Sequence, residues 1–149
     1  MQEVASRLTE EFNKVTPKGT QHLEYLEMHL FNHGKNKNRY MTVEPLLNAR
    51  AFVKWSNNLG STDTENYEPV LDAFSHFTYE FTNGFLIVVD LQGEKKNGNF
   101  HLTDPAIHCI KGSMFGETNL QLRGIVAFFQ SQECNDICRN MQLTEIKMD

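Results

Sequence analysis

The chain has 149 residues, enough for one domain with its own core and too few for two comfortable ones. Its apolar fraction of 40% and charged fraction of 22% are those of a globular protein rather than a disordered one. A formal net charge of −5 argues against nucleic acid as a partner, and no apolar run reaches the ~18 residues that a membrane span needs. No basic segment followed by an apolar stretch opens the chain, and its cysteines are three: Cys109, Cys134 and Cys138. The expectation is free or metal-bound thiols in a reducing compartment, the cytosol.

In chain order, Val4, Ala5, Leu8, Phe12 and Val15 recur at helical spacing, and Pro17-Lys18-Gly19 closes the helix they predict. Leu26, Met28 and Leu30 alternate with polar residues as a strand does. Asn32-His33-Gly34 and Lys35 to Asn38 then predict a solvated hairpin tip, with a returning strand from Tyr40 through Leu47. This hairpin is expected to pack on the first helix. Ala51-Phe52-Val53 reads as a short strand before Lys54, and the polar run 57–66 as a loop between sub-lobes. Tyr67, Val70, Leu71, Phe74, Phe77 and Phe81 predict a second helix, stopped by Asn83-Gly84. Phe85 to Val89 is a continuous apolar run, hence a buried strand that ends on Asp90. Gly93 to Gly98 is expected to be an exposed loop. Leu122, Ile125, Phe128 and Phe129 mark a third helix, and Cys134, Ile137, Cys138 and Met141 a short fourth. The fold class is α+β.

Three places can carry chemistry. Asp90 and Gln92 point the same way if strand periodicity continues, and Asp104 returns across a loop. Two carboxylates and an amide oxygen suit Mg²⁺, which favours hard oxygen ligands; equally, Asp90 can simply end a strand and Asp104-Pro105 start a turn. Cys134 and Cys138, four apart, share one face of a helix and with His76 can form most of a zinc site, or they are two small buried hydrophobes. Phe115 to Leu120 precedes a helix and can receive phosphate at its N-terminus, or it is an ordinary cap at Thr118 or Asn119. Lys54 is either a nucleotide contact or a surface lysine. His101 and His108 read as surface loop histidines.

Seven segments in order resemble the alpha-kinase family of atypical Ser/Thr protein kinases. They are Thr42 to Leu47, Phe52 to Asn58, Ala73 to Glu80, Val89-Asp90-Leu91-Gln92-Gly93, Leu102 to His108, Phe115 to Leu120 with Arg123-Gly124-Ile125, and Phe128-Phe129 with Cys134 to Cys138. The length of the segment after Gly93 is most similar to the branch containing the vertebrate innate-immune alpha-kinase. The resemblance implies a truncated kinase-like fold, with 1–56 the remainder of an N-lobe and hinge and 57–149 the catalytic lobe. It implies ATP-dependent phosphorylation of a protein Ser or Thr, with nucleotide and protein substrate as partners.

On that resemblance Asp90 orients or deprotonates the substrate hydroxyl, and Gln92 and Asp104 hold Mg²⁺. Lys54, Asn58, Thr103, Gly116 and Asn119 support phosphates or the substrate loop, and Glu44 meets the adenine. His76, Cys134 and Cys138 match structural zinc ligands. The chain departs from the family pattern at four points. A glycine-rich phosphate loop and its lysine are expected before the first helix; Gln130 to Glu133 stands where a fourth, histidine zinc ligand is usual; Gln121 replaces a glycine; and the Asp90–Asp104 spacing is long. These departures leave an inactive pseudokinase or a zinc-stabilised interaction module as the alternative.

Overall fold

The computed structural model describes residues 1–32, 39–112 and 114–148. Helix α1 (Gln2–Val15) buries Ala5, Leu8 and Phe12 along one stripe, while Val15 stays exposed. The chain then turns back as strand β1 (Leu23–Tyr25), held by Asn13, whose side-chain amide donates to the Leu23 carbonyl (2.7 Å) and accepts from its N–H (3.1 Å). The strand expected around Leu26 to Leu30 is corrected: residues 26–28 form a break between β1, which ends at Tyr25, and β2 (His29–Asn32).

Strand β2 pairs antiparallel with β3 (Tyr40–Val43), so the expected hairpin exists. Its tip, Asn32 to Asn38, lies largely outside the described residues. Two corrections apply. The returning strand stops at Val43, because Pro45 has no N–H to continue a ladder. Nor does the hairpin form part of the core: all eight of its residues are exposed, and β1 is the strand that packs on α1.

The central sheet has the order β1-β7-β6-β4, with β4 (Phe52–Lys54), β6 (Gln92–Lys96) and β7 (Asn99–Thr103). The segment from Gly93 to Gly98 is thus not an exposed loop but most of a hairpin. Asn97 (φ 53°) and Gly98 (φ 83°) form its turn, as the Asn-Gly pair favours. Gly93 is required inside it: its φ is 151°, and a Cβ there would lie 2.0 Å from the His101 carbonyl oxygen. Strand β1 joins β7 in parallel, Leu23 opposite Phe100.

Helix α2 (Pro69–Phe81) starts two residues later than its apolar spacing suggested, with Pro69 in the first turn and Tyr67 exposed. Asn83 and Gly84, both at positive φ, reverse the chain into β5 (Leu86–Val89), which is wholly buried and pairs with β8 (Ala106–Cys109). Helix α3 (Gln121–Ser131) and the single turn-and-a-half of α4 (Asp136–Asn140) complete the chain. The larger core joins α1, α2 and the central sheet, with Phe12 edge-on to Phe74 at 5.4 Å and Trp55 edge-on to Phe100 at 5.2 Å. A smaller core of Ile87, Val89, Ala106, Ile125, Phe128 and Phe129 sits between the β5–β8 pair and α3. Among the described residues no helix is long and apolar enough to cross a membrane.

Candidate nucleotide and metal sites

Asp90 stands where the chain leaves the β5–β8 pair and enters the central sheet. The strand does not continue through it, as the periodicity argument required; its φ is 60°, in the left-handed region. The junction is pinned by Leu91, whose carbonyl accepts from the Trp55 and Ser56 N–H groups (2.9 and 3.2 Å) and whose N–H donates to the Ser56 hydroxyl (2.9 Å). Lys54 and Gln92 reach Asp90 from paired positions on β4 and β6. Lys54 Nζ is 2.6 Å from Asp90 Oδ1, off the hydrogen-bond direction and so an ion pair only, which leaves that buried oxygen without a hydrogen bond. The Gln92 amide donates to Asp90 Oδ2 (3.3 Å) and to the Asp104 carbonyl (3.0 Å). Asp104 is itself at positive φ, in the turn from β7 to β8. Gln92 therefore bridges the Asp90 carboxylate to the Asp104 backbone carbonyl, through strained backbone rather than strand periodicity, and the contact to Asp104 does not involve its carboxylate.

Glu44 and Thr103 also meet. The Thr103 hydroxyl lies 2.7 Å from both Glu44 carboxylate oxygens. Gln2, which no local pattern marks, completes this network: its amide donates to Glu44 (3.0 Å) and the Leu26 carbonyl (2.7 Å), and its oxygen accepts from the Asp104 N–H (3.1 Å). Two adjoining cavities share Glu44, Phe52 and Thr103. One, of about 440 Å³, is polar and reaches Gln92 and Asp104. The other, of about 400 Å³, is walled by Pro45, Leu46, Leu47 and Ala49 and is mostly apolar. Tyr25 is a second residue that sequence reasoning missed. Burial first, then the Asp90 charge, raises its phenol far above the ordinary value, so it stays protonated. Its hydroxyl has no partner.

Asn58, Asn119 and His108 organise the neighbouring loop. His108 is not a surface loop residue: it is fully buried on β8. Its Nε2–H donates to the Asn58 carbonyl (2.6 Å) and its Nδ1 accepts from the Leu120 N–H (3.1 Å), which fixes a neutral tautomer. Burial pushes its pKa down. Asn119 accepts from the Cys109 and Gln121 N–H groups and donates to the Lys111 and Met114 carbonyls, so its side chain binds the loop together. Neither Thr118 nor Asn119 is the N-cap of α3; Leu120 is, with no side-chain cap. Asn58 donates to the Thr118 carbonyl (3.2 Å), and its buried Oδ1 has no partner. Gly116 lies at positive φ (72°) on the same loop. His101 is on β7, half-buried, with Nδ1 2.7 Å from Glu24.

The potential ligand atoms of His76, Cys134 and Cys138 all lie within 4.8 Å of one another. They do not share a helix face, because Cys134 precedes the N-cap of α4. Asn135 is that cap: its side chain accepts from the Ile137 and Cys138 N–H groups and donates to the Pro69 carbonyl (2.8 Å), drawing α4 onto α2. Among the described residues both buried ring nitrogens of His76 lack a hydrogen-bond partner, and burial lowers its pKa, leaving the neutral form that binds metal. Burial likewise pushes the Cys138 thiol up to about 12, a penalty that a bound cation would reverse. Two sulfurs and an imidazole fit zinc.

The architecture is that of part of an atypical protein-kinase domain. An alpha kinase from Entamoeba histolytica superposes with a TM-score of 0.87 at 32% identity, over 98% of this chain and 62% of that one. The alpha-kinase domain of myosin heavy chain kinase A, solved as a complex with ADP, gives 0.82 at 34% identity, over 97% of this chain and 57% of that one. A family profile of the alpha-kinases matches residues 1–138, and the chain belongs to the alpha-kinase family. Relatives include alpha-protein kinase vwkA of Dictyostelium discoideum, 39% identical over 72% of this chain, and transient receptor potential cation channel subfamily M member 6 of Homo sapiens, 35% identical over 98%. The chain spans 17% and 7% of those two proteins' lengths.

Proposed function

We propose that this chain forms the catalytic side of a site that transfers the terminal phosphoryl group of Mg-ATP to a protein Ser or Thr hydroxyl. The observation that carries the reading is the cluster of Asp90, Lys54 and Gln92 next to Asp104, beside a two-part cleft, polar at one end and apolar at the other. The solved relative with bound ADP supports a nucleotide there. The apolar end at Pro45, Leu46 and Leu47 suits a base, with Glu44 at its edge. The polar end suits the phosphates, with Gln92 and Asp104 offering hard oxygens to Mg²⁺ and Thr103 holding Glu44 in place. Bound Mg²⁺ supplies neutralisation of phosphate charge.

Phosphoryl transfer depends on positioning and charge more than on covalent chemistry. Asp90 Oδ1, buried and without a hydrogen bond, can receive the substrate hydroxyl and its proton once Lys54, 2.6 Å away, moves off it. Lys54, half-exposed beside it, can swing to a phosphate. Asn58, Gly116 and Asn119 shape the loop that borders the substrate. A zinc ion held by His76, Cys134 and Cys138 would join α4 to α2, and three cysteines outside any disulfide fit a reducing, cytoplasmic setting.

The test is transfer of labelled phosphate from ATP to a generic protein substrate. Asp90→Ala lowers the rate by roughly 10²–10⁴-fold, the range for losing a positioned proton acceptor. Unchanged transfer sinks the assignment. A second reading, a nucleotide-free interaction module, is favoured by the Lys54–Asp90 pair, which already neutralises the carboxylate. It predicts no thermal shift with Mg-ATP; a saturable shift removes it.

A further inference from the structure

We infer that the His76–Cys134–Cys138 site presents only three protein ligands to its zinc and leaves a fourth, exchangeable position open to a small nitrogen or sulfur donor from the adjoining cavity. The inference rests on the zinc reading above and goes beyond it.

A closed structural zinc site needs four ligands, and three protein ligands with one open position is the arrangement of exchangeable sites. Among the described residues the cluster of His, Cys and carboxylate ligand atoms closes at three. Glu80 is the nearest rival: its Oε1 is 3.6 Å from His76 Nε2. That oxygen is outside the 4.8 Å cluster and is already taken by the Thr144 N–H. Glu133 is also outside the cluster. Gln132, two residues before Cys134, is buried beside the site, but it offers a neutral amide. Its Nε2 donates to the Glu133 carbonyl (2.7 Å). An amide oxygen is a poor fourth ligand for a cation already carrying two thiolates, which draws on soft or borderline donors instead.

Space exists where the fourth ligand is missing. A cavity of about 520 Å³ is lined by both His76 and Cys134, together with Gln132, Glu133, Phe129 and Arg139. It is roomy enough for an imidazole or a low-molecular-weight thiol to reach the metal. A thiol entering as thiolate leaves its proton to solvent; an imidazole enters neutral with no proton change.

Cobalt(II) replaces zinc in the full chain, and the thiolate-to-metal and d–d absorption bands report its ligands. The expected result is one cobalt per chain, with bands that move saturably as imidazole is added. The Gln132→His protein, with four protein ligands, gives bands indifferent to imidazole and releases zinc to a chelator at least about tenfold more slowly, the lower end of effects seen even for outer-shell changes. If the natural chain binds one cobalt and its bands ignore imidazole, a protein group already fills the fourth position; the open position is then wrong while the zinc site stands. If neither cobalt nor zinc binds with thiolate bands, both fall. Should Gln132→His fail to fold, the imidazole titration of the natural chain decides alone.

Discussion

At the scale of single residues, Asp90 shows how strain and charge are combined. A non-glycine residue at φ 60° costs about 1–3 kcal/mol and persists only where its surroundings over-determine it. Here Leu91, held through Trp55 and Ser56, and the contacts from Lys54 and Gln92 do so. Because Lys54 is half-exposed, its ion pair adds little stability, so Lys54→Met is expected to cost under about 1 kcal/mol. Transfer activity falls about 10²-fold in the same variant, as when one electrostatic donor is removed from a site. Denaturant titration and initial rates, measured on one preparation, separate the two. His108 makes a pH prediction. Its pKa is depressed in the fold, so the unfolded chain takes up a proton first as pH falls. The stability it contributes is complete above about 6.5 and is lost as pH falls towards its lowered value. Urea midpoints at pH 7.5 and 5.5 should differ more for the natural chain than for His108→Gln. The comparison removes the parallel contribution of His76, whose pKa is also pushed down.

At the scale of elements, helix α3 approaches β8 closely only because residue 124 is glycine. A Cβ there would lie 2.2 Å from His108 Cδ2, inside any allowed contact. Gly124→Ala is therefore expected to cost about 1–3 kcal/mol, as overpacked sites do, and to disturb the His108 bonds to Asn58 and Leu120. A fall in melting temperature together with a changed His108 ring signal in NMR would show both effects. The start of α3 also gives a physical reason for the glycine that the resemblance leads one to expect at position 121. Residue 121 has φ 55°, where a side chain is strained and glycine is not. Gln121→Gly should gain up to about 1 kcal/mol, part of the relief being offset by the added freedom of the unfolded chain. Helices were the most legible elements, since their apolar stripes repeat within one segment. The hairpin from Gln92 to Thr103 was not, because its charged tip masks the Asn97-Gly98 turn.

At the scale of the whole molecule, the β2–β3 hairpin exposes apolar side chains on both of its faces. Leu30 (65% exposed), Phe31, Tyr40, Met41, Val43 and Leu46 (100% exposed) lie on the β2–β3 hairpin and the segment after it. The native chain is expected to bind a hydrophobic dye. Phe31→Lys with Met41→Lys should lower that fluorescence while changing stability by no more than about 0.5 kcal/mol per site, as surface changes do. Dye binding that stays constant counts against the hairpin as the dye's site. Helix α4 depends on the zinc reading: it has five residues, too few to hold a helix alone, and is joined to α2 through Asn135 and the His76 cluster. Chelation should release α4 first, visible as lost amide protection at Ile137 and Cys138 before global unfolding.

The sequence by itself determined the α+β class, the four helices, the β5 strand that delivers Asp90, and the ordered motifs that place the chain among the alpha-kinases. These are local signals, set by apolar spacing within a segment and by short-range turn chemistry. Only the tertiary structure decided that β1 lies parallel to β7, that Gln2 and Glu44 meet Thr103, that His108 is buried rather than exposed, and that Lys54 pairs with Asp90. Each of these joins residues tens of positions apart. Burial and sheet pairing select such partners by how whole elements pack, and no pattern within one segment carries that information. Asp90 was visible as the end of a strand; the left-handed turn that aims its carboxylate at Lys54 and Gln92 exists only because two sheets meet there.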